Sequence, residues 1–430
     1  MIDSLTKVLS INKFTGIERR AAIGNVDHPI VNQPKPPSIK QLNELFMDEG
    51  VRLSVGACQK AIHEWGGETS GITHMVSTTC TSSANPGFDH FVAKELGLNR
   101  TCHKTLLAGI GCSGGLAAIR TASELALSAT AMGRPARVLV LACEISSVFV
   151  RSELESIHEN QEVRIGICLF SDAASACIIS NGIGEKSTPV YKVLGWRHEV
   201  IDDTASDLGF DVDPLGWKVV LTPRVPILTT KAVFPAYCKL IKSIPSLLSE
   251  NSASPTSPSD FDWALHPGGS LIISGVQRVM GLDEHHLRAS YEIYMEHGNS
   301  SSATIMSVMD RIRQPQHVED GKKIISCAFG PGINMELVAL ERGPKALALN
   351  GNGNGNGIAN GNGTMNGTTN GTTNGDTTST TNGTTNGTTN GETNGTTNGT
   401  TNGTTNGTTN GTTNGTTNGT TTTNGIQHET

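Results

Sequence analysis

Three side chains stand at points where their type and setting could do chemistry: Cys112, His266 and Asn299. Cys112 follows the apolar run Lys104 to Ile110, which reads as a buried strand, and enters the turn Gly111-Cys112-Ser113-Gly114-Gly115. From there Ala117, Ile119, Ala122, Leu125 and Leu127 mark a helix to about Met132. A thiol at a strand-to-helix junction meets helix N–H groups and the positive end of the dipole. Both favour the thiolate, which is the nucleophile. Taken alone, the turn reads equally well as core packing, because free cysteine is among the most buried residues. His266 ends a second apolar strand, Trp263-Ala-Leu-His266, and is followed by Pro267-Gly268-Gly269 and a helix from Leu271 to Met280. Of thirteen histidines it is the one set between a strand and a Gly-Gly turn. There it can steady a thiolate as imidazolium or donate an N–H to a carbonyl oxygen. A structural histidine on a backbone carbonyl is the commoner explanation for such a residue by itself. Asn299, in Gly298-Asn299-Ser300-Ser301-Ser302-Ala303, can aim an amide N–H at the same oxygen. One such donor is worth about 3–4 kcal/mol of transition-state stabilisation, although an asparagine before a helix is most often a cap.

To bring the three together the chain must alternate strands and helices. Strands are expected at Ile72–Thr79, Ala136–Cys143, Ile165–Phe170, Ala173–Ile179, Tyr191–Trp196, Lys218–Leu221 and Asn334–Glu341. Helices are expected at Met1–Leu9, Ser38–Trp65, Phe88–Leu98 and Thr229–Leu248, with a surface loop at Glu250–Ser259. This pattern argues an α/β fold. It divides at Asn181-Gly-Ile-Gly184 into halves 1–184 and 185–344, with a tract at 345–430. Cys112-Ser-Gly-Gly and His266-Pro-Gly-Gly each end a strand and open a helix, so equivalent places in two similar halves would meet at a pseudo-twofold axis.

Composition excludes several classes. The formal charge is −7, from 32 Lys+Arg and 39 Asp+Glu, with no basic stripe for nucleic acid. No apolar run is long enough to span a bilayer. Nine cysteines are scattered singly without a Cys-x-x-Cys, which suits a reducing, cytoplasmic setting better than a disulfide framework or zinc site. Neither Cys102-His103 nor His285-His286 has a neighbour to complete a metal site. From Asn350 the chain is a Thr-Thr-Asn-Gly repeat with almost nothing apolar, too little to offset the entropy of ordering, so a disordered tail is expected.

The chain resembles the type III polyketide synthases, the chalcone-synthase-like enzymes of the thiolase fold. The resemblance rests on Gly-Cys112-Ser-Gly-Gly, Ala-Leu-His266-Pro-Gly-Gly, His-Gly-Asn299-Ser-Ser-Ser-Ala and Ala-Phe-Gly-Pro-Gly332, in that order. Thr15-Gly-Ile-Glu-Arg-Arg20, Val138-Leu-Val-Leu-Ala-Cys-Glu144-Ile and Leu169-Phe-Ser-Asp172-Ala-Ala add to it. It covers Met1 to about Arg342. It implies a duplicated αβαβα fold and a homodimer that uses acyl-CoA and malonyl-CoA with no metal or other cofactor. Cys112 would carry the acyl group, while His266 and Asn299 would stabilise the enolate of decarboxylating malonyl-CoA. Gly268, Gly269, Gly332, Cys80 and Thr81 would border the substrate, and Lys7 and Lys13 would remain of the CoA-phosphate patch. Against the plant members, Ser113 stands for the aromatic after the cysteine. Trp196, eight residues before Thr204, stands for the first gatekeeper, Val219 for the second, and Asn85 for the methionine lent across the dimer. This pattern looks closer to fungal members that take long fatty acyl-CoA starters and make alkylpyrones, alkylresorcinols or alkylresorcylic acids. Relative to the family the first half lacks its first strand and helix. The competing readings are a ketoacyl synthase III-like enzyme and a catalytically inactive scaffold of the same fold.

Overall fold

Apolar strands and amphipathic helices assemble into two four-stranded sheets. The computed structural model describes residues 3–343 apart from 186, 214–215, 249–255 and 318–321, together with strands of the repeat tract. The chain divides into two units, Met1–Leu347 and Ala348–Thr430. In the first half come α1 (Asp3–Thr15), α2 (Ile39–Leu45), α3 (Val51–Trp65), β1 (His74–Thr78), α4 (Phe88–Glu95), β2 (His103–Leu107), α5 (Gly114–Ala131), β3 (Arg137–Ile145), α6 (Val150–Glu159), α7 (Gly166–Leu169) and β4 (Asp172–Ser180). In the second come β5 (Tyr191–Val200), β6 (Leu208–Asp213), β7 (Gly216–Leu221), α8 (Val225–Ser243), β8 (Phe261–Leu265), α9 (Ser270–Met280), α10 (Arg288–His297), α11 (Thr304–Arg311), β9 (Lys323–Gly330) and β10 (Asn334–Arg342).

The first sheet runs β2-β1-β3-β4, with β1 parallel to β2 and β3 and antiparallel β4 closing one side. The second runs β5-β10-β9-β8, with β8 parallel to β9 and β10 antiparallel to both neighbours. Strand β3 is Val/Leu/Ile-rich and buried at every position after Arg137, as a strand covered on both faces must be. Between the sheets lies one shared core, in which Leu116 and Ile119 of α5 meet Val138 and Val140 of β3, Ile305 and Val308 of α11, and Val338 of β10. Outside it, α3 covers the first sheet around Phe46, Leu139 and Leu141. On the far side α8 and α9 cover the second, around Tyr237, Leu240, Trp263 and Ile273. The result is five layers, α-β-α-β-α.

The duplication can be read strand by strand. In the first half β1 is followed by α4, and the turn at Gly111 opens α5 before β3 and β4. In the second, β8 is followed by α9, and the turn at Ser301 opens α11 before β9 and β10. The topological mate of Cys112 is therefore the Ser301 turn, not His266, whose own mate is Cys80 at the end of β1. Both helix-opening turns begin with a positive φ, 44° at Gly111 and 48° at Ser301. The equivalence expected between the two Gly-Gly turns is thus corrected: His266 belongs to the first strand of its half, Cys112 to the connection after the second.

Three other expectations change. The run before Cys112 is not buried: β2 is the edge strand and is exposed along His103–Leu106. Ile165–Phe170 is not a strand but the helical turn α7, an ambiguity inherent in short apolar runs. The helix expected over Ser38–Trp65 is interrupted by a π-helical turn at Phe46–Gly50. Most of the Glu250–Ser259 loop lies outside the described residues. In the second sheet β5 covers the outer edge of β10, whereas no strand among the described residues covers that of β4. In the repeat tract the strands Thr377–Asn390, Thr393–Asn406 and Thr409–Asn414 pair in parallel, Thr377 with Thr393 and Thr393 with Thr409.

Candidate active site

The turn that carries Cys112 is built from glycine because three neighbours approach it closely. A Cβ on Gly111 would lie 2.7 Å from the Pro331 ring, and one on Gly114 would lie 2.5 Å from Thr78 Oγ1. One on Gly115 would run into the Ser302 carbonyl oxygen. The start of α5 is thereby pressed against the start of α11, and Cys112 Sγ comes within 3.5 Å of Ser301 Oγ across the axis between the halves.

His266 follows β8, and its backbone N–H donates to Cys327 O at 2.8 Å. The side chain is buried, yet neither ring nitrogen has a hydrogen-bond partner. This disposes of a structural histidine held by a backbone carbonyl. Asn299 is fixed by its backbone, whose N–H donates to Leu169 O at 3.0 Å and whose carbonyl accepts from Ser171 N at 2.9 Å. Its side-chain Oδ1 accepts from Ser301 N at 2.8 Å, which leaves the amide nitrogen to donate elsewhere. One cavity is lined by Cys112, His266, Asn299 and Gly268 and walled by Leu169, Phe170, Leu208, Val219, Leu221, Ile272 and Phe329.

Desolvation opposes the charge expected at this site. Burial pushes the Cys112 thiol up to about 11; the Ser301 hydroxyl and Asn299 amide pull it down, and the nearby Glu144 pushes it further up. Burial alone lowers His266 to about 3. The helix N-terminus therefore does not by itself yield a low-pKa thiolate, because a lone charge on either group lacks solvent. A proton passed from Cys112 to His266 leaves the cavity's net charge unchanged.

Sequence reasoning assigned no role to the group beside the thiol. Glu144, on β3 and fully buried, accepts from Cys80 N at 3.0 Å, Thr81 Oγ1 at 2.9 Å, Thr79 Oγ1 at 3.2 Å and Ser302 Oγ. Cys80 Sγ reaches Glu144 Oε2 and Ser301 Oγ, each at 3.4 Å, so one hydroxyl serves both thiols. A single acid inside the run Val138–Ile145 was the available signal, since a buried carboxylate must collect donors. Cys80 is thus tied to the site. Thr81 instead borders a second cavity with Leu42 and Trp217.

The remaining candidates separate. Val219 and Gly268 line the cavity. Gly269 opens α9 beside it, and Gly332, at φ 64°, offers its carbonyl to Thr204 Oγ1 at 3.0 Å. Trp196 is not among the lining residues: on β5 it stands opposite Val338 and packs into the core between the sheets. Counting back from a threonine could not reveal which way strand alternation turns that ring. Lys7 and Lys13 are exposed on α1, which packs through Val8 onto Ile157 and Cys168.

The family models for chalcone and stilbene synthases match here, the N-terminal domain over residues 21–183 and the C-terminal domain over 212–343. The chain belongs to this family, the type III polyketide synthases, and is an acyl-transferring condensing enzyme of thiolase-like fold. Among its relatives is the acylalkylpyrone synthase csyB of Aspergillus oryzae, 39% identical over 344 residues, covering 79% of this chain and 86% of that one. A solved type III pentaketide synthase from Neurospora crassa is 56% identical, with a TM-score of 0.76, and the match covers 79% of this chain and 91% of that one. The structure of CsyB complexed with CoA-SH aligns at 38% identity and a TM-score of 0.76, covering 80% and 92%.

Proposed function

We propose that Cys112 takes an acyl group from an acyl-CoA thioester and that His266 and Asn299 drive its extension with malonyl-CoA. The observation that carries this is one cavity holding a thiol, a buried imidazole with both nitrogens unpartnered, and an amide whose oxygen alone is engaged. In loading, the Cys112 proton passes to His266, the sulfur attacks the thioester carbonyl, and CoA leaves as its thiol with the proton that His266 held. Malonyl-CoA then loses CO₂. Its thioester oxygen gains the negative charge of an enolate, and an N–H of His266 with the Asn299 amide donates to that oxygen. The enolate carbon attacks the acyl-Cys112 carbonyl and expels the thiolate, leaving a chain two carbons longer on CoA. Electrons for the new C–C bond come from decarboxylation, so the step calls for no metal or redox partner.

Val219 supports a long alkyl starter, because with Leu208, Leu221, Ile272 and Phe329 it gives the cavity an apolar wall. The acylalkylpyrone synthase activity of the Aspergillus relative supports an alkylpyrone-type product. The coenzyme A complex of CsyB supports CoA thioesters as substrates. A second copy of the chain is assigned to the edge of β2, where Leu106 and Phe91 are exposed beside unpaired backbone. All nine cysteines are free thiols, in keeping with the cytoplasm, and no helix among the described residues is long and apolar enough to cross a membrane. Purified protein given a long-chain acyl-CoA and malonyl-CoA should yield pyrones or resorcinols by mass spectrometry. Hydrolysed acyl-CoA alone, across a range of starters, would refute the synthase reading, as would acyl loading that survives Cys112→Ala.

A further inference from the structure

Two polar anchors join α5, which Cys112 precedes, to β10 of the other half. At the far anchor Arg120, two turns along α5, holds the buried Glu336 with Nε at 3.0 Å and Nη2 at 2.9 Å. At the near one Ser113 Oγ, fully buried, bonds Asn334 Oδ1 and lies 2.9 Å from Ile110 O. Asn334 and Glu336 are two residues apart on β10 and so share a face. The Asn334 amide nitrogen in turn donates to Pro331 O at 2.7 Å, closing the Gly330-Pro331-Gly332 turn onto the same residue. The fit has no slack. A Cβ on Gly330 would strike Ser113 Oγ and Ile110 O, and one on Gly111 would strike Pro331.

We infer that Asn334 is a positioning residue for the nucleophile, acting through Ser113. Cys112 sits between Gly111, wedged by Pro331, and Ser113, tied to Asn334. The direction of its Cα–Cβ bond is therefore set by residues of the second half that touch neither sulfur nor cavity. His266 and Asn299 stand on other turns, after β8 and before α11, and neither side chain bonds Ser113 or Asn334. Its loss should impair the steps made by sulfur and spare those made by the two donors. A misplacement of about 1 Å can cost on the order of a hundredfold in rate.

The inference rests on the proposed roles of Cys112, His266 and Asn299, and the experiment separates the two. Full-length Asn334→Leu, Ser113→Ala and the double variant are compared with the unaltered protein. Acyl loading is followed by intact-protein mass in a single turnover, malonyl-CoA decarboxylation by CO₂ release, and folding by urea midpoint. Each single variant should load at least about tenfold more slowly, with decarboxylation within about twofold. The double variant should be no slower than the slower single, because both remove one bond. Loading and decarboxylation falling together, additive losses, or unchanged loading would each overturn the assignment. Failure of the unaltered protein to load at Cys112 would instead overturn the proposed function.

Discussion

Adding one methyl group at two glycines should give opposite results, for reasons the geometry makes quantitative. Gly56 lies within α3, and a Cβ there would meet nothing within 4 Å. Gly56→Ala should therefore show the intrinsic helix preference, a gain of about 1 kcal/mol. Gly115 lies in the first turn of α5, where a Cβ would meet the Ser302 carbonyl oxygen and sit 2.6 Å from Ile305 Cγ2. The first of these is backbone and cannot rotate away. Relief requires α5 and α11 to part, and overpacking of this kind costs about 1–3 kcal/mol. Net destabilisation by Gly115→Ala should thus be up to about 2 kcal/mol, since the clash outweighs the helix preference. The parting also draws Ser301, on the turn opening α11, away from Cys112 Sγ, so acyl loading should slow by at least about tenfold. Urea unfolding of both variants and intact-protein mass after a short exposure to acyl-CoA test this. If Gly115→Ala is as stable as Gly56→Ala and loads at the normal rate, the packing of the two helix starts does not govern the thiol.

Glu144→Ala leaves Cys80 N, Thr81 Oγ1 and Ser302 Oγ without their acceptor, and at about 1–3 kcal/mol per orphaned group the urea midpoint should fall sharply. Val219→Phe should shorten the acyl chains accepted without abolishing loading of short ones, read from the product distribution over a series of starters. Truncation after Asn350 should leave turnover per mole of enzyme unchanged, because no residue of the proposed site lies beyond Gly332; a loss of activity would assign the repeat tract a role in the reaction.

Much of the proposed site was legible as a candidate because it lies at element ends. Cys112, His266 and Asn299 each sit where apolar periodicity breaks at glycine, and such breaks mark where a strand or helix must deliver a side chain. Val219 was legible through motif register along a short strand. The failures have physical causes. The apolar residues before Cys112 fit an interior strand and an exposed edge equally well, since composition does not say which surface covers them. Trp196, expected at the cavity, packs into the core between the sheets, because alternation along β5 sets which face a side chain takes. The low-pKa thiolate was drawn from the helix end and a neighbouring histidine, and burial, which acts the other way, is a property of the whole fold. Glu144 was visible as an oddity in β3, but its partners come from the ends of β1 and from the turn before α11, segments far apart in sequence. Ser113 and Asn334 are likewise 221 positions apart.

The duplicated sheets differ in how tightly they hold their own backbone. On β10 the ladder is closed on both sides, by β9 and by β5. On β4, among the described residues, it is closed only toward β3. Apart from Asp172 N, which donates to Ala21 O at 2.8 Å, amides of β4 that point away from β3 meet no neighbouring strand among the described residues. In hydrogen exchange they should report small local openings, while those of β10 wait for the sheet to come apart. β4 begins at Asp172, whose carboxylate receives Ile23 N and Ser147 N at 2.8 Å each, so that edge is pinned at the end nearest the site. Protection should accordingly fade along the strand from Asp172 toward Ser180, away from the cavity.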